Sequence, residues 1–220
     1  MTRILLTVVL IVSFSFVVNA QFKKNDILLG GQLSYGYSSS NQKYALNQTY
    51  DYKATSGNFT INFGKALNEN TVTGITLSYL PFSNNNYTVD GVTPTKYKDN
   101  GYAAGIFFRK YKSLGKEFYL FGEASALYNW SNESGKDSTG KELLTGSSWS
   151  IGINFFPGIA YKISRHFFLE LSLQNLVYFG YTKSNTNTPQ TKIANDQLNI
   201  STSLTSGFLG NLGLGVRLIL

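Results

Sequence analysis

The chain contains no cysteine, a single histidine and only four prolines in 220 residues. Without cysteine there is neither a disulfide framework nor a Cys-based metal site. One imidazole, His166, cannot supply the paired histidines of a typical zinc site. Charged residues make up 14% of the chain, against about a quarter in an ordinary soluble domain. Beyond residue 18 no apolar run approaches the roughly 20 residues that a membrane helix requires.

What the chain has in quantity is glycine (21), tyrosine (15) and phenylalanine (16). Its mean hydropathy is only −0.11. Weak average hydropathy with many aromatics fits strands whose lipid-facing and lumen-facing sides cancel. The formal charge of +7 raises the question of nucleic acid. The basic residues, however, do not gather with aromatics on one patch; most fall in predicted loops near an acid, and no nucleic-acid partner is expected.

The N-terminus reads as an export signal. Met1-Thr2-Arg3 is a short positive segment, and Ile4 to Val18 is an almost unbroken apolar run. Val18-Asn19-Ala20 places small residues at −3 and −1 of a cleavage site before Gln21. Residues 1–20 are therefore expected to be a cleaved secretory signal peptide and 21–220 an outer-membrane barrel domain. An exported chain that faces lipid without apolar helices must cross with strands.

Period-two alternation marks eight of them: Asp26–Tyr37, Gly57–Lys65, Thr71–Leu80, Gly101–Tyr111, Glu117–Trp130, Ser148–Tyr161, Phe167–Tyr181 and Phe208–Leu220. In the last, Phe208, Gly210, Leu212, Leu214, Val216, Leu218 and Leu220 share one face, while Leu209, Asn211, Gly213, Gly215, Arg217 and Ile219 share the other. It is expected to close the barrel against the first strand. Pro81 is expected to end the third strand, and Pro157-Gly158 to kink or bulge the sixth.

The connections alternate long, short, long, short, long, short, long. That rhythm predicts an all-β fold, an eight-stranded antiparallel up-and-down transmembrane β-barrel with short periplasmic turns and long extracellular loops. A lipocalin-like soluble barrel would alternate too, but would more often carry disulfides, shorter loops and fewer outward aromatics. Here Tyr35, Tyr37, Tyr79, Tyr102, Tyr128, Trp130 and Trp149 gather near one set of strand ends, and Phe108, Tyr111, Phe118, Tyr161 and Phe167 near the other. They read as two girdles at headgroup level.

On these features the chain resembles the small outer-membrane β-barrel proteins of the OmpX and OmpA-barrel kind, in the style of the "porin family" barrel proteins of Bacteroidetes-like bacteria. The resemblance covers the whole mature chain and includes Phe156-Pro157-Gly158-Ile159-Ala160-Tyr161 before a turn and the glycine-rich ending Val216-Arg217-Leu218-Ile219-Leu220. It implies residence in a Gram-negative outer membrane, with membrane lipid and the barrel-insertion machinery as partners. Such chains usually end in an aromatic; Leu220 stands in its place with the same outward parity.

Chemistry is sparse. Arg109, Glu170 and Arg217 fall at similar depth on inward faces and are expected to form one lumen charge cluster; Glu123 is expected higher in the lumen, without an evident partner. Eight strands leave an interior that side chains can fill, so the cluster reads as part of a polar plug rather than as a gate. No catalytic, cofactor-binding or metal-binding residue is expected. His166 lies in a predicted periplasmic turn, far from the outer rim where a membrane hydrolase would need it. The expected role is non-enzymatic: presentation of polar extracellular loops to a protein or glycan ligand, for adhesion, defence or envelope integrity. The alternative is a small pore, or a transport or secretion accessory protein.

Overall fold

A computed structural model of the chain describes residues 22–43, 49–85, 96–137, 139–174, 176–202 and 212–220. The expected signal peptide lies outside the described residues, as do Phe208, Gly210 and Asn211. Among the described residues, ten strands form a single antiparallel sheet: β1 (Ile27–Lys43), β2 (Thr49–Asn68), β3 (Thr71–Asn84), β4 (Lys96–Gly115), β5 (Phe118–Lys136), β6 (Glu142–Lys162), β7 (Phe167–Leu173), β8 (Val177–Asn187), β9 (Lys192–Thr202) and β10 (Leu212–Ile219). Sequence neighbours pair from β1 to β6, β6 pairs with both β7 and β8, and β10 joins β7 to β1. The sheet therefore closes into an up-and-down ring. Leu28 to Leu33 of β1 run against Ile219 to Leu214 of β10, and the Leu220 N–H donates to the Ile27 carbonyl at 2.9 Å.

The strands are longer than alternation alone predicts. β1 reaches Lys43, β3 passes through Pro81 to Asn84, and β5 and β6 meet across a tight tip at residues 137–141. Much of the expected last loop is a hairpin, β8 and β9, turning at residues 188–191. The extensions are mostly Ser, Thr, Asn and Lys, with only scattered apolar residues such as Phe82, Tyr97 and Leu144, so little periodic contrast marks them, yet backbone pairing continues. Asp137 shapes its tip locally: its carboxylate accepts the Thr139 and Lys141 N–H groups at 2.8 and 2.9 Å and the Thr139 hydroxyl at 2.6 Å.

Neither proline ends a strand. Pro81 sits opposite Asn100 of β4, and only the β2 side of its ladder is interrupted, between Ser56–Phe82 and Phe59–Tyr79. A proline lacks one donor, so it breaks pairing on one edge only. Gly57 makes room for it; a Cβ there would stand 3.2 Å from the Pro81 ring. At Pro157 the expected irregularity falls in the neighbouring strand instead. β6 continues unbroken against β5, with Gly122 facing Pro157. On its other edge, β6 advances from Gly158 to Phe155 while its partner advances from Ser172 to Val177. Two surplus residues are accommodated there, and they separate β7 from β8.

The ring is inverted with respect to a soluble barrel. Outward positions such as Leu33, Ile61, Leu77, Ile106, Ile151 and Leu214 are more than half exposed. Inward positions are polar, charged or packed aromatic. An apolar core fills only the short-turn end of the lumen, from Phe22, Leu28, Val72, Phe107, Phe121 and Phe168 with their neighbours.

Candidate functional site: a bridged lumen beneath a polar cavity

Alternation within each strand aims Arg109 (β4), Glu123 (β5), Glu170 (β7) and Arg217 (β10) inward, and all four are buried. Register then brings them together. Arg109 lies directly opposite Glu123 across the β4–β5 ladder, and its Nη2 and Nε both stand 2.6 Å from Oε2. Glu123 is thus not a high, solitary carboxylate, as the sequence led us to expect. Strand tilt and a register fixed by the turn at Lys116-Glu117 drop it onto Arg109.

The next link crosses the lumen. Arg109 Nη1 donates to Glu170 Oε2 at 2.7 Å, although β4 and β7 are not adjacent in the ring. Arg217 Nε donates to Glu170 Oε1 at 2.8 Å, with Nη2 3.4 Å from Oε2. Two guanidinium groups and two carboxylates form a chain of zero net charge. Buried charges of this kind are tolerated when every member has a partner. Tyr111 does not belong to the turn-end girdle in which the sequence reading placed it: it shares Arg109's inward parity, and its buried hydroxyl accepts from Arg109 Nη1 and donates to Glu170 Oε1, both at 3.2 Å. The Arg109 guanidinium also lies 4.1 Å from the centre of the Phe121 ring. Gly30 gives Arg217 its room: a Cβ at that position would come within 3.2 Å of the guanidinium carbon.

Phe22 caps the cluster from the turn end. Only 3% exposed, its ring packs at 5.1 Å on Tyr111 and 6.0 Å on Phe168. Its segment is pinned by the Phe22 N–H to the Glu69 carbonyl and the Asn25 N–H to the Ala66 carbonyl, at 3.2 and 2.9 Å. Sequence reading missed this residue. The available signal was a lone aromatic before Lys23-Lys24, in a segment that alternation does not cover.

Above the cluster the lumen is not filled by side chains, contrary to expectation. A cavity of about 430 Å³ is lined by Gln32, Asn62, Thr76, Ser125 and Asn154 together with apolar groups such as Leu127 and Phe156, with Glu123 at one wall. Cross-strand hydrogen bonds organise its walls, including Thr76 to Asn62 and Gln32 to Ser172, both 2.7 Å. A second cavity of about 280 Å³ lies nearer the long hairpins, beside Asp99, Glu133 and Thr186. His166 is exposed in the β6–β7 turn. Among the described residues, no group of His, Asp and Glu is placed to hold a metal ion.

No protein-family model and no curated protein sequence matches the chain. Solved structures do. The outer membrane protein OprG from Pseudomonas aeruginosa is similar at TM-score 0.52 and 14% identity, over 92% of this chain and 100% of that one. Ail, the attachment invasion locus protein of Yersinia pestis, gives TM-score 0.34 at 10% identity, over 88% of this chain and 99% of that one. The translocator domain of the autotransporter NalP from Neisseria meningitidis gives 0.38 at 10%, over 90% of each. Only the first carries weight, and at that identity it speaks for fold alone. With the closed antiparallel ring, it gives this chain the fold of the small outer-membrane β-barrel proteins.

Proposed function

We propose that this is an eight-stave transmembrane barrel of the Gram-negative outer membrane, closed at its turn end, which acts without catalysis by presenting its long hairpins outside the cell. In this reading β7 and β8 are one stave broken opposite Pro157, and β9 and β10 are another. The observation that carries it is the inversion of the wall: exposed apolar side chains outside, an ion cluster and hydroxyl-lined cavities inside. An apolar surface of that extent does not persist in water. Girdles bound it, with Tyr79, Tyr102, Trp130 and Trp149 on the hairpin side and Phe118 packed at 4.8 Å, with tilted rings, against Tyr161 on the turn side. Strands of 20 residues, such as β2 and β4, rise roughly 45 Å at a 45° tilt, against an apolar band of about 25 Å. The remainder projects as polar hairpins, the surfaces available for a protein or glycan ligand.

The reading is tested by refolding the chain into phosphatidylcholine vesicles. A compact, heat-modifiable band is expected on unboiled gels, with protease cutting at the 137–141 tip and sparing the wall. A chain that stays outside the vesicles, or is digested throughout, contradicts it. A second reading, a small pore, draws on the 430 Å³ cavity; it requires the Arg109–Glu170 bridge to open.

A further inference from the structure

The charges that line the two lumen cavities are all of one sign. The cavity nearer the hairpins has Asp99 and Glu133 on its wall, and the larger one has Glu123. Among the described residues, neither is lined by a lysine, an arginine or a histidine. Lysines on the same strand point the other way: Lys96 and Lys98, of opposite parity to Asp99 on β4, are exposed. They stand on a strand, not in a loop as the sequence led us to expect. A cleft walled by one sign of charge raises the local concentration of the opposite ion. With the turn end closed by the ion cluster and Phe22, the hairpin side is the way in.

Toward the larger cavity the ion cluster presents its negative end. Its members alternate in sign, Arg217–Glu170–Arg109–Glu123, and Glu123 is terminal. Both Arg109 bonds fall on Glu123 Oε2, which leaves Oε1 as the last acceptor of the chain. Asn154 stands close by. Glu123 faces Phe156, and Ser125 faces Asn154, across the β5–β6 ladder. Glu123 and Asn154 are therefore diagonal neighbours, roughly 7–8 Å apart at Cα. Asn154 lines the cavity and is only 7% exposed. Among the described residues its buried Oδ1 has no hydrogen-bond partner. Such an acceptor costs free energy until a donor reaches it. Ser125, also buried and on the same wall, adds its hydroxyl between the two.

We propose that the lumen binds a small primary alkylammonium ion, its N–H groups shared among Glu123 Oε1, Ser125 Oγ and Asn154 Oδ1 and its alkyl body against Leu127 and Phe156. A primary ammonium carries three donors and no acceptor, which matches this acceptor set, and it extends the alternation of signs by one member. The volume of about 430 Å³ falls within the range of small-molecule sites, about 300–1,000 Å³, and far exceeds what one bare ion fills. A single carboxylate among neutral groups is a poor ligand set for a divalent metal. A zwitterion is disfavoured, because no cation on this wall receives its carboxylate. The site lies inside the ring and is independent of what the hairpins bind.

The test uses the full refolded protein in zwitterionic micelles. Heat-modifiability is scored before any ligand is added, so that failure to form the barrel shows there. The probe is butylammonium chloride, beside butanol, γ-aminobutyrate and potassium chloride at matched ionic strength. Binding is read from the amide resonances of Ser125 and its neighbours. Butylammonium should shift them saturably, and the comparison solutes should bind about tenfold more weakly or not at all. Glu123→Gln should weaken butylammonium about tenfold or more, the worth of a charge-assisted hydrogen bond. Asn154→Leu removes an acceptor and fills space from outside the ion cluster; it should weaken binding as much, and it carries the test if Glu123→Gln does not fold. Glu142→Gln, at the exposed start of β6, should bind as the parent does. Resonances that do not move, equal binding of butanol or γ-aminobutyrate, unchanged affinity of Asn154→Leu, or equal weakening by Glu142→Gln overturns the proposal. Displacement of the amine by potassium at equal concentration also overturns it, in favour of an inorganic cation.

Discussion

At the scale of single residues, the lumen is held by one arginine that reaches both ways. Arg109 binds Glu123 on the neighbouring strand and Glu170 across the lumen. Replacing it with methionine strands one carboxylate entirely and leaves the other to Arg217. The expected loss is about 3–5 kcal/mol of stability, the usual consequence of breaking a buried ion pair from one side, measured as a shift in the urea midpoint in vesicles. Adding Glu123→Gln should recover much of it, because Glu170 and Arg217 then form a balanced pair. Equal loss in the single and double variants would contradict the pairing described here. Phe22→Ala empties the cap over Tyr111 and Phe168; a loss of about 3 kcal/mol is expected, at the low end of the usual Phe→Ala range.

At the scale of strands, the two faces make separable predictions. Ile106 is 63% exposed on the outer wall, between the ring belt and the turn end. Ile106→Arg should cost about 2–4 kcal/mol in vesicles, as charges near the bilayer midplane do, whereas Lys98→Ala beyond the belt should leave folding stability within about 0.5 kcal/mol. Similar effects of the two substitutions would remove the membrane boundary from where the rings place it. Hairpin tips should titrate on their own. The Thr139 hydroxyl, aided by backbone N–H groups, holds the Asp137 carboxyl below its ordinary value. A lowered carboxyl pKa means that the tip is ordered above the usual carboxylate range and loosens as pH falls through the depressed value. The amide resonances of Thr139 and Lys141 should report that change while those of the barrel wall stay fixed.

The same scale explains what was legible beforehand. Where one face is apolar and the other polar, as from Leu212 to Ile219, alternation marks both the strand and its orientation. Lys43, Asn84 and the tip half of the β8–β9 hairpin, from Thr182 to Gln197, lie where both faces are largely polar, so the periodic signal fades although backbone pairing does not. The prolines misled for a related reason, since one missing donor interrupts one edge of a strand rather than the strand itself. Arg109, Glu170 and Arg217 could be singled out because charges at inward parity in a narrow lumen require partners. The Glu123 contact could not, because it depends on the β4–β5 register. Phe22 escaped because no periodic pattern contains it.

At the scale of the molecule, these parts make an inverted barrel with one sealed end. The wall is apolar outside. The turn end is bridged by an ion cluster and capped by aromatic packing, and the far end widens into polar cavities beneath long hairpins. Such a body offers surfaces rather than a through-passage. Single-channel conductance of the refolded, heat-modifiable protein in planar bilayers tests this most directly. The parent should be silent under voltages that leave the bilayer intact, and Arg109→Ala combined with Phe22→Ala should show intermittent openings. Steady conductance by the parent would contradict the sealed lumen and turn Arg109, Glu123, Glu170 and Arg217 into the lining of a pore.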